Sequence, residues 1–356
     1  MIFYGFKNSV KFRDNRIRHL VSAAIILLIS GIVELKSQDI HFSQFHAAPL
    51  LINPANTGMS GDDIRIANIY RNQWSNIGVP YETLSTSIDK KLTLAGHLFG
   101  LGGFILHDQS SSFRLSSNEF MVSVSYSQII RNQQFTVGLQ PCIVLKSVDL
   151  GGVTFNSQFN PSSQIYDQTL PSLENGIGDR MRYFDLNAGV FWRTMIRNIM
   201  PSAGISVSHL NMPVQRFITV AEGTRLHMRL NVNSEVIIPV SSMINLNPCV
   251  LYSFTNGINE FLLGGTSDFS ISWSNIPIEK LYAVSMFRSN PWRNIDAFIL
   301  GGGVDFLQFS LGLIYDLNIS PLHKATHFNG AFEVSLIYKG NRKTRDNTSP
   351  PCYIIN

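Results

Sequence analysis

From about Ile64 to Tyr338 the chain alternates apolar and polar residues with a period of two. In Glu119–Gln128, Phe120, Val122, Val124 and Tyr126 alternate with Met121, Ser123, Ser125 and Ser127. In Phe184–Trp192, Phe184, Leu186, Ala188, Val190 and Trp192 alternate with Asp185, Asn187, Gly189 and Phe191. An extended strand places the two sets on opposite faces. One face is apolar, and the other is mostly Ser, Asn, Asp and Gly. The polar face of a soluble sandwich meets bulk water and is usually rich in Lys and Glu. A face this small and weakly charged is what a barrel lumen carries, with the apolar face turned to lipid. Strands can sit in lipid only if the sheet closes, because an open edge would leave backbone groups unpaired.

About fourteen such segments are predicted: 63–73, 80–90, 96–107, 118–129, 134–146, 182–193, 201–210, 225–240, 243–255, 258–272, 279–288, 295–303, 306–316 and 328–338. The expected fold is therefore all-β, a transmembrane antiparallel up-and-down barrel. An even strand number suits bacterial barrels, as do long connections alternating with tight ones. The longer ones are 74–79, 108–117, 147–181, 211–224 and 317–327, and Asn256–Gly257 breaks the pattern by being short on the loop side. This parity puts both chain ends in the periplasm. Segment ends carry aromatics, among them Tyr70, Trp74, Tyr81, Trp192, Tyr252, Trp273, Trp292, Tyr315 and Tyr338, as an interfacial girdle would. Pro141, Pro239 and Pro248 fall in or at the end of predicted strands, where bulges or strand ends are expected.

Before the alternation lies a different pattern. Lys7, Lys11, Arg13, Arg16 and Arg18 lead into an apolar stretch, Leu20–Val33, too short to span a bilayer as a helix. Residues 1–37 read as a signal peptide, cleaved near Gln38. They hold six basic and two acidic residues, so removing them takes the net charge from +4 to zero, with 22 of each sign. The basic balance thus belongs to the export signal, and a nucleic-acid role loses its main support. Charged residues are only 15% of the chain, below the usual ~25% of soluble domains. The domain reading is a signal peptide (1–37), a periplasmic N-terminal segment (38–62), the barrel (63–338) and a polar periplasmic tail (339–356).

Candidate chemistry is sparse. Cys142, Cys249 and Cys352 are widely spaced, with no CxxC, and the first two fall on strands four apart. No GxSxG, HExxH, P-loop or EF-hand pattern occurs. Gly301–Gly303 reads as close packing within a strand. His323 and His327 are spaced for a metal only on a helix, whereas that stretch, with Pro321, reads as a loop. Ser206, Ser208 and His209 are the one trio near enough for a hydrolase, but Ser208 and His209 would face opposite ways along one strand. No catalytic residue, cofactor site or metal site is expected, and the chain is not expected to be an enzyme.

Residues 38–60, QDIHFSQFHAAPLLINPANTGMS, resemble the opening of the PorP/SprF family of type IX secretion outer-membrane proteins. The match rests on Asp39, His41, Phe42, Ser43, Gln44, Asn53, Pro54, Ala55, Thr57 and Gly58. Asn68, Tyr70–Trp74, Pro80, Tyr81, Thr83 and Asp89 follow in the family's order. Gly204–Leu210 with Pro213, Asp296-Ala297, Tyr315–Leu322 and Glu333–Tyr338 resemble later family segments. The chain departs from the family at Ile40, where Pro is common, and its end, Pro351-Cys352-Tyr353, only loosely matches the family tail. The resemblance implies an outer-membrane location and a non-enzymatic role in export or surface attachment of a large adhesin-like cargo. It also implies contact with periplasmic secretion components and, for some members, gliding motility. It makes Phe42, Gln44, Asn53 and Pro54 candidate partner contacts, with packing against the barrel as the alternative. Segment 147–181, the largest predicted loop, adds Phe155, Phe159 and Tyr166 as candidate cargo contacts, the alternative being a loop folded into the lumen. A passive or substrate-selective porin is the competing reading of the whole chain.

Overall fold

The computed structural model describes residues 39–76, 78–110, 115–149, 154–172, 180–216, 223–271, 277–290, 294–321 and 323–340. Residues 1–38, with the expected signal peptide, lie outside the described residues, as do Trp273, Trp292, Cys352 and all else beyond Gly340. Fourteen strands form a closed antiparallel barrel. They are β1 (Ile64–Gln73), β2 (Tyr81–Leu94), β3 (His97–Ser110), β4 (Leu115–Ile130), β5 (Gln133–Ser147), β6 (Arg180–Thr194), β7 (Met200–Ser208), β8 (Arg229–Pro239), β9 (Ile244–Thr255), β10 (Ile258–Ser270), β11 (Ile278–Asn290), β12 (Asn294–Phe306), β13 (Phe309–Asn318) and β14 (Asn329–Gly340). Each pairs with its sequence neighbour, and β1 closes the ring on β14, with Ile69 opposite Ser335 on one side and Ser85 on the other. Among the described residues no helix is long and apolar enough to cross a membrane.

The period-two pattern becomes the two faces of the wall. On β4, Ser123 is wholly buried and Ser125 and Ser127 join it inside, while Val122 on the outer face is 55% exposed. On β5, Thr136 and Gln140 point in, and Val137 and Leu139 point out. In a water-soluble protein so many exposed large hydrophobics would be a liability; around a closed ring they form the lipid-facing belt. Val137→Arg, in mid-strand on that belt, is expected to cost about 2–4 kcal/mol. Folding yield into bilayers, read by heat-sensitive gel mobility, should fall sharply, and an unchanged yield would contradict the lipid-facing assignment.

Tight turns set the register of two hairpins, one at each end of the barrel. Ala95-Gly96 and Asn256-Gly257 both have positive φ at their two central residues, the geometry that matches strand twist in two-residue hairpins. The second of these lies at the loop end. Pro141 and Pro248 depart from expectation: neither makes a bulge or ends a strand. Register is unchanged on either side of each, and only the pairs next to the missing N–H drop out. Both face outward, so the gap in the ladder costs no lumen contact. Pro239 does end β8. Gly301–Gly303 lies in β12 and packs closely on β11 and β13.

Candidate functional site: a segment lodged in the lumen

The segment ahead of β1, expected to plug or brace the periplasmic mouth, runs inside the ring, and Phe42, Ser43, Gln44, Leu50, Asn53, Ala55 and Thr57 are buried to within 2%. The reason is local chemistry. The lumen-facing residues are polar enough to satisfy an irregular backbone and, at several positions, small enough to admit it.

Near the barrel's loop end, Ser43 sits among four buried charges. Its hydroxyl donates to Asp316 Oδ2 (2.7 Å) and accepts from Arg71 Nη1 (3.0 Å) and Arg288 Nη1 (3.1 Å). One donor and two acceptors exhaust what a serine hydroxyl offers. Glu333 accepts the backbone N–H groups of Ser43 (2.7 Å) and Gln44 (2.9 Å) and also pairs with Arg71 Nη1. Arg71 reaches Asp316 at 3.3 Å, and Arg288 reaches Asp316 at 2.8 Å and Asp296 at 2.7 Å. The Gln44 side chain accepts from Ser335 Oγ at 2.7 Å. Two residues before Ser43, His41 Nε2 lies 3.6 Å from Glu260, which Arg229 also approaches at 3.4 Å.

Midway through the lumen the chain makes one helical turn, Pro49–Ile52, then a 3₁₀ turn, Pro54–Asn56. Asn53 joins them. Its side-chain oxygen accepts from Ala55 N (2.9 Å), as an N-cap should, and Pro54 occupies the first helical position, where no N–H is needed. The Asn53 amide donates to Val190 O of β6 at 2.9 Å. Two wall glycines make room: a Cβ at Gly189 would lie 2.1 Å from Asn53 Oδ1, and one at Gly138 would lie 2.3 Å from both Ala55 N and the Pro54 carbonyl carbon. Wall side chains take the carbonyls, Gln140 that of Leu50 and Ser206 that of Ile52.

Toward the turn end, Thr57 Oγ1 donates to Pro54 O and meets Ser123, and Ser125 donates to Thr57 O. Gly58, with φ +68°, gives its N–H to Asp89 at 3.0 Å. Asp89 is held in turn by Arg65 Nε (3.2 Å), whose Nη2 donates to Ala47 O. The Met59 sulfur accepts from Gln134, and Arg193 reaches its carbonyl.

Phe42, Gln44, Asn53 and Pro54 thus contact the chain's own wall. The loop candidates lie elsewhere. In the loop joining β5 to β6, the two-residue strands Phe159–Asn160 and Ile165–Tyr166 form a small hairpin. Phe159 and Tyr166 pack ring edge to face at 5.3 Å, and both stay exposed, with Ile165 60% exposed beside them. Asp167 anchors its base: Thr169 donates to the carboxylate twice, which holds its pKa below the usual range. Phe155 is half-buried nearby in sequence, and Gly151-Gly152 lies outside the described residues.

Two sequence expectations need correction. His209 is not on a strand, since β7 ends at Ser208; a left-handed turn (φ 60°) sets its ring 2.6 Å from Asp185. Ser206 donates to Ile52 O. His323 does begin a helical turn, His323–Thr326, but its Nδ1 bonds Ser320 O and its ring stacks on Phe328. Among the described residues no three metal-type side chains cluster. Cys142 and Cys249 are buried in the lumen as free thiols. Arg288 was missed by sequence reading. Its signal was parity: like Lys280, it is a charge at a lumen-facing position of β11.

A family model, type IX secretion system membrane protein PorP/SprF, matches residues 34–338. The chain belongs to the PorP/SprF family. Its location is the outer membrane. Among solved structures it is similar to the toluene transporter TbuX of Ralstonia pickettii, at 9% identity and TM-score 0.50, covering 83% of this chain and 93% of that one. A Pseudomonas aeruginosa FadL homologue aligns at 10% identity and TM-score 0.42, over 81% and 92%. At such identity the first of these speaks for the fold alone. No curated protein matches. Family and structural neighbours are secretion and transport barrels, not enzymes.

Proposed function

We propose that this PorP/SprF barrel supports export or surface attachment of a large adhesin-like cargo protein, holding it through the external loops. It would work with periplasmic components of the type IX machinery at its turn end. The observation that supports a holding role over free passage is the segment lodged in the lumen and anchored to the wall along its length. The exposed Phe159–Tyr166 hairpin is the natural loop contact, because paired rings give a rigid apolar surface at little entropic cost.

Deleting the gene should strip an adhesin from the cell surface while leaving uptake of small solutes unchanged. Changed solute uptake with intact adhesin display would favour a porin. Phe159→Ala with Tyr166→Ala should leave the barrel folded and lower cargo retention by about tenfold or more, as loss of an anchor worth ~2 kcal/mol would. Retention equal to wild type, measured by surface immunofluorescence, would remove the hairpin from the contact.

A further inference from the structure

The contacts of residues 41–59 begin near the loop end of the barrel and finish near its turn end, which the chain already touches at Ala47, whose carbonyl accepts from Arg65, one residue from the turn end of β1. His41 meets Arg229-linked Glu260, near the loop ends of β8 and β10. Ser43 meets Arg71 and Asp316, each two residues from the loop end of its strand. Asn53 meets Val190, four residues from the turn end of β6, and Gly58 and Met59 meet Asp89 and Gln134, five residues and one residue from the turn ends of β2 and β5. The chain therefore enters β1 at the turn end after traversing the lumen from the loop end. Short turns face the periplasm in barrels of this kind, and loops face outward.

We propose that the processed chain is threaded through its own barrel, so that its amino end is displayed at the external loop mouth. There it would be part of the surface that cargo meets, while the lumen stays closed. This rests on the attachment reading above and on cleavage near Gln38. The wall is shaped for a permanent occupant. Gly138 and Gly189 leave no space for a side chain where the segment passes, and carbonyls of Ala47, Leu50, Ile52 and Thr57 are each taken by a wall side chain. Gln38 and Asp39 are hydrophilic, as an aqueous mouth requires, whereas an uncleaved Leu20–Val33 stretch would set an apolar segment in water.

The test uses single cysteines in a Cys352→Ser chain, Cys142 and Cys249 being buried, with a membrane-impermeant maleimide applied to intact cells. Ser163→Cys, exposed in the hairpin loop, should label at once, and Asn132→Cys, exposed in the β4–β5 turn, only after the outer membrane is permeabilised. Asp39→Cys is expected to label like Ser163→Cys, and a bulky adduct there to lower cargo capture several-fold. Labelling of Asp39→Cys only after permeabilisation, or not at all, overturns the threading. Labelling with unchanged capture overturns the contact role. Should cargo display prove independent of this barrel altogether, the attachment reading fails while the labelling result still decides the topology.

Discussion

Arg71→Ala is expected to cost about 3–5 kcal/mol of barrel stability, the range seen when one partner of a buried ion pair is removed. Arg71 is the shared cation of Asp316 and Glu333, and both carboxylates are fully buried. Without it, Glu333 keeps only the amides of Ser43 and Gln44, and Asp316 keeps Arg288 and the Ser43 hydroxyl. The loss should appear as a lower urea midpoint in detergent or bilayers. It should also appear as protease access to the lodged segment, because Ser43 loses one of its three hydroxyl bonds at the same moment. Ser43→Ala alone should cost less, about 1–3 kcal/mol, since it leaves buried donors unpaired without stranding a charge. Combining Arg71→Met with Glu333→Met should recover much of the stability, because no lone charge then remains buried. A midpoint for Arg71→Ala within error of wild type would show that the charges do not hold the segment.

The ring itself was legible from periodicity. All fourteen predicted segments became strands, because residues such as Val122 and Val124 can face lipid only if Ser123 and Ser125 face inward. Boundaries slipped where turn chemistry carried no hydrophobic signal: β2 runs on past Lys90 through Lys91 to Leu94, which the alternation did not require. Pro141 and Pro248 misled because a proline forbids only one ladder bond, and a strand flanked by two neighbours tolerates the loss on one side. The lodged segment was not legible from pattern at all. Residues 41–59 have no period, and their burial depends on carboxylates and arginines up to 290 positions away. Motif resemblance did mark most of the lock, among them Ser43, Arg71, Asp89, Asp316 and Glu333. What sequence order could not convey is that they meet. Arg288, outside every quoted motif, completes the cluster because β11 brings it beside β13's Asp316 across β12.

Gly138→Val is expected to convert a closed barrel into an open one. A Cβ at Gly138 lies 2.3 Å from the Pro54–Ala55 backbone, so a valine cannot coexist with the segment where it now runs. Backbone cannot yield as the tip of a flexible side chain can, and the segment must move off the wall. The wall should survive, because Gly138 sits in mid-strand between Val137 and Leu139 and valine favours extended backbone. A fourteen-strand ring is wider than the eight-strand barrels that side chains fill, and its exposed lumen would be lined by Ser, Thr, Gln and Asn. Planar-bilayer recordings should therefore show wild type silent and Gly138→Val conducting. Gly103→Val is the matched control: its Cβ would point at lipid, with nothing nearer than 3.7 Å, and it should stay silent. Conductance in wild type would mean that the segment does not seal the lumen. Silence in a correctly folded Gly138→Val barrel would mean that something other than residues 41–59 keeps it shut.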